Sequence, residues 1–509
     1  MLLQRTFITH IQQAKIILMK PLLAVLFLLA SLLTQAQNNT LLDQAFWKTN
    51  PDLATVKAAV EKGNDPSEFN RSSFDPVVYA INANASTEVI TWLLEQKGND
   101  VNKITHDSRT YIFWSSARGN LPVVEYLISK GAKLDLLDSH GSTVLGFAAN
   151  AAQANTKVYD ALVRAGADIK QKNQDGASLL LTAIANDKDL TLTNYFISKG
   201  LSLQDTDAAG NTAFNYVARS GNIELMKSLL QKGVKPTDQA FLMAAQGGRG
   251  GAGNGMPLYQ YLESLNLKPA VVNKNGENLL HYLARKPNQQ EIIPYFISRG
   301  VKVDQADNEG NTPFMNAAAS NRDTATLTLL LPAKSINQAN KKGITALAMA
   351  VKSNSPEIVQ FLISKGADVK AVDATGNNLA YYLVQSYNAQ AGAQDPFGVK
   401  LKVLQQAGFN PATPQKDGNT LYHLAIAKGD LALLKKIEPL QVDVNAKNKE
   451  GVTVLHKAAM VAKDDAILKY LLSIGAKKDA TTTFQETAYE LAKENEFLSK
   501  SNVSVDFLK

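Results

Sequence analysis

Histidine is the residue type in this sequence best suited to acid–base catalysis or to binding a transition metal. Six are present: His10, His106, His140, His281, His423 and His456. Metal ligands supplied by local sequence lie a few residues apart, whereas the closest two of these histidines are separated by 456 − 423 = 33 positions. His106 and His140 lie in predicted turns, where polar side chains are expected to be solvated. We therefore expect no metal site and no histidine-based active site.

The sequence also lacks the short motifs that position other reactive side chains. It contains no cysteine, which excludes disulfide bonds and an acylated cysteine at an export cleavage site. It contains no H-E-x-x-H, G-x-S-x-G or C-x-x-C pattern. We expect a protein that is not an enzyme and that needs no cofactor.

The elements that must position any functional side chain recur along the chain at a nearly constant interval. Nine glycines mark it: Gly141, Gly176, Gly210, Gly276, Gly310, Gly343, Gly376, Gly418 and Gly451. Their spacings are 35, 34, 66, 34, 33, 33, 42 and 33 residues, and the 66 is two repeats because a copy without the glycine begins near Thr237. A turn and two helices fill about 33 residues, and such a repeat buries its apolar face only by stacking on its neighbours.

Each repeat carries signals that start and end its helices. Gly310 supplies the positive φ of a tight turn, Thr312 can cap the helix that follows, and Pro313 occupies the first helical position. The second helix is clearest at residues 355–365, where apolar residues recur at helical spacing. Gly366 then ends it as a left-handed cap. These signals predict helix-turn-helix repeats.

Three segments carry a resemblance to a known family. They are Gly451-Val452-Thr453-Val454-Leu455-His456-Lys457-Ala458-Ala459, Gly310-Asn311-Thr312-Pro313-Phe314 and Gly418-Asn419-Thr420-Leu421-Tyr422-His423. They resemble the G-x-T-P-L-H-x-A-A opening of the ankyrin repeat, and the resemblance covers about residues 41–500. It implies an all-α ankyrin-repeat solenoid of about twelve repeats plus end caps, with β-turn fingers. Repeat starts are expected near residues 73, 108, 141, 176, 210, 237, 276, 310, 343, 376, 418 and 451.

The resemblance also implies a structural role for three of the histidines. His281, His423 and His456 occupy the fourth place of the T-P-L-H block. In the family this side chain hydrogen-bonds turn backbone and ties neighbouring repeats together. We expect the same role here.

Two insertions interrupt the repeats, at residues 247–255 and 386–398. The first is glycine-rich, but no Gly-Lys-Ser/Thr follows it and no predicted strand precedes it, so we interpret it as a flexible loop and not as a phosphate-binding loop. Both insertions fall between the two helices of their repeat and should emerge on the same edge of the stack.

The N-terminal segment has the features of a secretory signal peptide. Lys20 precedes an apolar run over residues 22–33, and small and polar residues follow it, with a plausible cleavage site after Ala36. Twelve residues are too few for a bilayer span, which needs about 20. We expect an exported protein, periplasmic or secreted, whose mature chain is not inserted in a membrane.

The predicted domain organisation follows from these features. It comprises a signal peptide at 1–36, an N-terminal capping half-repeat at 37–72, the ankyrin repeat array at 73–484, and a C-terminal capping repeat and tail at 485–509. The formal charge of +7 falls to 7 − 3 = +4 without Arg5, Lys15 and Lys20. The remaining lysines are scattered singly or in pairs, so we expect no nucleic-acid partner.

An aromatic side chain follows the histidine position in six of the twelve predicted repeats. These residues are Tyr79, Trp114, Phe147, Tyr216, Tyr282 and Tyr382. In the ankyrin family this position lies on the inner helix near the concave groove. Half-exposed rings there would suit a protein partner, because Tyr and Trp anchor interfaces. The alternative interpretation is that the rings fill gaps between adjacent repeats.

The resemblance and the absence of reactive motifs favour one function. We expect a non-enzymatic protein–protein interaction scaffold that binds its partner, another protein, through the concave face and the turn tips. The alternative is a glycan or small-ligand binder that uses the aromatic residues of the concave groove.

Overall fold

The computed structural model describes residues 39–248, 253–333, 335–389 and 395–509. Within these ranges the chain consists of helices and turns without a strand. Three isolated bridges occur there, at Val272–Asn278, Ala339–Thr345 and Thr481–Thr487. The predicted all-α class is confirmed. The predicted signal peptide lies outside the described residues, as do residues 249–252 and 390–394 of the two predicted insertions.

The chain divides into two compact units, with the boundary between Ala208 and Ala209. The helices of unit 1 are α1 (Gln44–Lys48), α2 (Leu53–Glu61), α3 (Pro76–Asn82), α4 (Thr87–Leu94), α5 (Tyr111–Arg118), α6 (Leu121–Ser129), α7 (Val144–Asn150), α8 (Thr156–Arg164), α9 (Leu179–Ile184) and α10 (Thr191–Ser198). The helices of unit 2 are α11 (Ala213–Ser220), α12 (Ile223–Gln231), α13 (Ala240–Gln246), α14 (Met256–Ser264), α15 (Leu279–Leu283), α16 (Ile292–Ser298), α17 (Pro313–Ser320), α18 (Thr324–Leu329), α19 (Ala346–Ser353), α20 (Pro356–Ser364), α21 (Leu379–Ser386), α22 (Phe397–Gln406), α23 (Leu421–Ile426), α24 (Leu431–Ile437), α25 (Val454–Val461), α26 (Ala466–Ser473), α27 (Ala488–Glu494) and α28 (Glu496–Lys500). Short 3-10 turns lie at Thr40–Leu42, His106–Ser108, Glu438–Leu440 and Asp506–Leu508.

From α3 onward the helices form successive pairs. The first helix of each pair packs against the first helix of the next pair within the same unit. In unit 1 this stack runs through α3, α5, α7 and α9, and in unit 2 through the odd-numbered helices from α11 to α27. The twelve pairs from α3–α4 to α25–α26 begin within a few residues of the twelve predicted repeat starts. The prediction of helix-turn-helix repeats is confirmed.

The residues predicted to start and end helices have those roles in the structure. Thr312 Oγ1 accepts a hydrogen bond from the backbone N of Met315 at 3.3 Å, and Pro313 is the first residue of α17. Gly366 has φ +92° directly after the last turn of α20, as the left-handed cap requires. These local signals explain why the repeat boundaries can be read from the sequence.

The turns that precede successive helix pairs are joined by backbone hydrogen bonds. Lys341 N donates to Glu309 O at 2.9 Å, and Ala374 N donates to Lys342 O at 2.9 Å. Gly343 has φ +73°, and a Cβ placed on it would lie 2.4 Å from the backbone nitrogen of Ala374. A glycine is required at this position both by its own dihedral angle and by the close approach of the next turn.

Replacing Gly343 with alanine should therefore destabilise unit 2 more than the same change at Gly366. Gly366 also has a positive φ, but a Cβ there would meet nothing within 4 Å. The Gly366→Ala variant should lose roughly 1–2 kcal/mol from the left-handed backbone alone. The Gly343→Ala variant should lose roughly 1–3 kcal/mol more, because the next turn must move. Urea unfolding followed by circular dichroism measures both losses, and equal losses would show that the approach of Ala374 imposes no constraint.

Candidate functional site

The three histidines of the T-P-L-H blocks join neighbouring repeats of unit 2. Their Nε2 atoms contact backbone carbonyl oxygens of the following turn: His281 with Asn311 at 3.1 Å, His423 with Val452 at 2.9 Å and His456 with Ala480 at 2.9 Å. Each Nδ1 accepts a hydrogen bond from a backbone N–H at the helix start, at 3.0, 3.2 and 3.1 Å respectively. A ring whose Nδ1 accepts and whose Nε2 donates is the neutral Nε2–H tautomer. The structural role that the resemblance implies is confirmed.

Burial determines the protonation of these three rings. It lowers the pKa of His281, His423 and His456, and the hydrogen bond from each Nε2 to a carbonyl opposes that shift only in part. The three histidines are therefore neutral structural groups at neutral pH, with both ring nitrogens occupied.

The described residues offer neither a metal site nor a membrane-spanning helix. They contain no group of three or more His, Cys, Asp or Glu side chains arranged to hold a metal ion. Nor does any helix in these ranges combine the length and the apolar character that crossing a bilayer requires.

The six aromatic residues predicted to bind a partner all lie on the first helix of their pair. They are Tyr79 on α3, Trp114 on α5, Phe147 on α7, Tyr216 on α11, Tyr282 on α15 and Tyr382 on α21. Four of them are buried, with exposures of 8% (Trp114), 8% (Phe147), 9% (Tyr216) and 4% (Tyr382). Only Tyr79 and Tyr282 are half-buried, so the expectation of half-exposed rings is wrong for the other four.

Hydrogen bonds to the turn of their own repeat orient several of these rings, both buried and half-buried. In four of the six, the polar atom of the ring bonds to the residue nine positions earlier: Tyr79 OH with Asn70 at 3.1 Å, Trp114 Nε1 with Thr105 at 2.9 Å, Tyr282 OH with Asn273 at 2.7 Å and Tyr382 OH with Asp373 at 2.7 Å. A ring bonded in this way has its polar edge turned toward the turn of its own repeat. Partial burial alone would raise the pKa of Asp373, but the hydrogen bonds from Tyr382, Thr375 and Asn377 lower it to about 2.

The three of the six aromatic residues that lie in unit 1 belong to one connected cluster of rings. Phe74 lies between Tyr79, at 6.2 Å between ring centroids, and Trp114, at 5.6 Å, and Trp114 meets Phe147 edge-on at 5.5 Å. His106 lies in a turn, as predicted, but it also stacks on Phe74 at 4.4 Å and is half-buried. Aromatic pairs at these separations stabilise each other beyond their buried area.

Arg109 lies at the centre of this cluster, and no motif in the sequence indicates its role. Its guanidinium carbon lies 4.1 Å from the ring centroid of Phe147 and 5.2 Å from that of Trp114. Its Nε and NH2 donate to Asp138 Oδ2 at 2.9 and 2.8 Å, and its NH1 donates to Asp107 Oδ2 at 3.0 Å. Arg109 is 5% exposed and the Asp138 side chain is fully buried. Arg109 therefore joins two turns and two inner helices of unit 1.

Asp107, which accepts a hydrogen bond from Arg109, also contacts two histidines. His140 Nε2 lies 3.2 Å and His106 Nε2 3.4 Å from Asp107 Oδ2. Burial would raise the pKa of Asp107, but the hydrogen bond from His140 and the charges of His106 and Arg109 lower it. His140 itself is exposed, as expected for a turn residue.

Comparison with known proteins identifies the repeats. The family model described as ankyrin repeats (3 copies) matches residues 32–138, 77–173, 145–240 and 280–373. The chain is 22% identical to human transient receptor potential cation channel subfamily A member 1, over 83% of this chain and 32% of the channel. It is 24% identical to alpha-latroinsectotoxin-Lt1a of Latrodectus tredecimguttatus, over 59% of this chain and 23% of the toxin, and 24% identical to mouse Rabankyrin-5, over 40% of this chain and 18% of that protein.

The chain spans about a third or less of the length of each of these relatives. What they share with it is therefore the repeats. Together, the matched residues, the helix pairs with a period of about 33 residues and the histidines that join them show that the chain belongs to the ankyrin repeat family.

Proposed function

We propose that this chain is an exported, non-enzymatic scaffold that binds another protein through the turns and first helices of its repeats. Ankyrin repeats indicate a protein–protein interaction scaffold, and the family is typically non-catalytic. The observation that carries the proposal is the succession of stacked helix pairs, each with its own turn, which presents the same surface positions again in every repeat. Export is supported by the charged, apolar and small-residue order of residues 20–36.

The turns of unit 1 offer the most distinctive contact surface. Phe69, Ile104 and Leu137 are 42%, 53% and 46% exposed. A turn residue with positive φ follows each of them four positions later: Ser73 follows Phe69, Ser108 follows Ile104 and Gly141 follows Leu137. They therefore occupy the same position in three successive repeats. We call these three side chains the apolar turn row.

Neighbouring turns in this region are joined by backbone and side-chain contacts. Ser139 N donates to Asp107 O at 2.8 Å, and His106 Nδ1 lies 2.8 Å from Ser72 O. Large apolar side chains at equivalent exposed positions of ordered turns are costly to leave in water and are typical of a protein-binding surface. The proposed partner buries the apolar turn row and meets the half-buried ring of Tyr79 beside it.

Partner binding by the six aromatic residues remains a prediction, and fewer of them can contact a partner directly. Tyr79 and Tyr282 keep exposed ring surface and are its members best placed to contact a partner. Trp114, Phe147, Tyr216 and Tyr382 would support the surface from below, since they are buried.

The double variant Ile104→Ser/Leu137→Ser should reduce capture of the partner from the exported fraction by at least about tenfold, which corresponds to about 1.4 kcal/mol. The loss is expected because two exposed apolar anchors become polar while the core of unit 1 is unchanged. The matched control is Ile197→Ser, which removes a 40% exposed isoleucine from the second helix α10 of the same unit.

The experiment compares the proteins retained by each immobilised variant, and circular dichroism verifies equal helix content. Retention of the same partner in equal amounts by the double variant and the unchanged chain would exclude the apolar turn row as the binding surface. A loss of capture in the Ile197→Ser control would place the interface on the second helices instead.

A further inference from the structure

An open groove of about 670 Å³ lies at the start of unit 1, and neither the histidines nor the apolar turn row belongs to it. Three segments of the chain form it: residues 44–50, residues 74–84 and the C-terminal end of α5. Its walls include Lys48, Phe74, Tyr79, Asn82 and Arg118. A concave site that combines aromatic surface with a few convergent polar groups has the composition of a small-ligand site.

Neighbouring side chains hold the two aromatic rings of the groove, Phe74 and Tyr79, in place. Phe74 and Tyr79 are half-buried, and their ring planes meet at 61°. Phe74 is backed by the stacked ring of His106 and by Trp114. The hydroxyl of Tyr79 accepts a hydrogen bond from Asn70 Nδ2. Both rings therefore present a fixed apolar face to the groove, at little entropic cost on binding.

The charge of the groove is positive. Lys48 and Arg118 line it, and none of the described lining residues is acidic. Arg118 Nε donates to Asn82 Oδ1 at 3.1 Å, which orients the guanidinium and leaves its NH1 and NH2 without a partner among the described residues. Lys48 forms no ion pair with any described residue. A planar guanidinium held in this way suits a carboxylate, which it can bind through two parallel hydrogen bonds.

The rim of the groove adds side-chain amides. Gln44, Asn50 and Asn84 line it with their side chains exposed. An amide side chain both donates and accepts hydrogen bonds. Sugar hydroxyls have the same dual character, and the C–H face of a sugar ring packs on an aromatic side chain. The combination of two cations, two rings and several amides fits a sugar that carries a carboxylate better than a neutral sugar or an acidic peptide side chain, which offers no array of hydroxyls.

We propose that this groove binds an acidic sugar, a uronic acid residue in free or polymeric form. Its carboxylate binds Arg118 and Lys48, its ring face packs on Phe74 and Tyr79, and its hydroxyls bind the amides. The groove does not include the apolar turn row, although Tyr79 belongs to both proposed surfaces. The test therefore uses Arg118, which has no part in the proposed protein interface, so the two proposals can fail separately.

The test is titration of the full mature chain with sodium D-glucuronate, followed by isothermal calorimetry or by shifts of amide resonances. The expected Kd is in the millimolar range, on the order of 1 mM, as for a single small ligand in an open groove. D-glucose should bind at least about tenfold more weakly, because the carboxylate contact is lost. A poly-uronate should show the same dependence on Arg118 as the monomer.

The variant Arg118→Gln should weaken glucuronate binding by at least about tenfold, because glutamine can still donate hydrogen bonds but carries no positive charge. Arg118 is exposed, so the fold should be unaffected. The matched control is Arg164→Gln, which removes an exposed arginine from the second helix α8 of the same unit and should leave binding unchanged.

Three results would overturn the inference. Binding of D-glucose as tight as that of glucuronate would show that charge plays no part. Saturation of the groove by sodium acetate, or by a short acetylated glutamate peptide, at the same concentration as glucuronate would show that the sugar ring contributes nothing and that a simple carboxylate or an acidic peptide is the ligand. Equal binding by the Arg118→Gln variant would place the ligand elsewhere on the chain.

Discussion

Replacing Arg109 with methionine should destabilise unit 1 by about 3–5 kcal/mol, the range expected when one partner of a buried ion pair is removed. The methionine can fill much of the space between Trp114 and Phe147. It cannot neutralise Asp138, whose side chain is fully buried and loses both hydrogen bonds from Arg109. An uncompensated buried carboxylate, and not lost packing, accounts for most of the expected effect.

Two further variants separate charge from geometry. Arg109→Lys keeps the charge but cannot contact Asp138 and Asp107 at once with a planar fork, so its loss should be intermediate. Arg164→Met is the control, because Arg164 is 71% exposed and lies 4.0 Å from Glu125, so its loss should be within about 0.5 kcal/mol.

The measurement is the urea midpoint of unit 1, followed by the fluorescence of Trp114 within the cluster or by hydrogen exchange of α5 and α7. A local probe is needed because a repeat protein can lose one part of its stack before another. If Arg109→Met and Arg164→Met shift the midpoint equally, the network around Arg109 does not stabilise unit 1.

Unit 2 should lose stability as the pH falls below about 6.5, the ordinary pKa of histidine. Burial lowers the pKa of His281, His423 and His456 in the folded chain. Between those lowered values and 6.5 the unfolded chain binds more protons than the folded chain, so acidification favours unfolding. Their contribution is complete above pH 6.5 and is lost as the pH falls through the folded values.

The size of the effect follows from the number of protons. Each histidine can contribute up to about 1.4 kcal/mol per pH unit within that window, so three together give a slope of up to about 4 kcal/mol per pH unit. Protonation also removes the acceptor at Nδ1 that the backbone N–H at the helix start requires.

The triple variant His281→Asn/His423→Asn/His456→Asn should flatten this slope. Asparagine is a suitable replacement because Asn215 occupies the same position in its own repeat and bonds to Thr237 Oγ1 at 2.5 Å. The charged groups near these histidines, including Glu277, Asp417 and Glu486, are kept in both proteins, so the two proteins differ only at the three imidazoles.

The measurement is urea unfolding of both proteins from pH 7.5 to pH 5, with a probe in unit 2. The unchanged chain should show the steeper fall in the free energy of unfolding. If both proteins depend on pH in the same way, groups other than these histidines control the acid stability of unit 2.

The period, the helix boundaries and the links between repeats in unit 2 could all be predicted from the amino-acid sequence. Thr312, Pro313 and Gly366 act within one or two helical turns, so their effect does not depend on distant residues. His281 and its equivalents bond to the turn that follows about 30 residues later, and the constant period brings that turn to the same place in each repeat.

The exposure of the aromatic rings and the residues around them depend on the tertiary structure and could not be predicted in this way. Trp114 and Tyr282 occupy the same position of their repeats, yet Trp114 is buried beneath Phe74 and Arg109 while Tyr282 keeps exposed surface. The difference arises from residues of neighbouring turns and helices, whose side chains the periodic pattern does not specify. The groove at Arg118 and Lys48 has the same origin, because its walls come from three separate segments that meet only when the helix pairs stack. A repeat pattern determines the backbone, and the contacts among its variable side chains determine the sites.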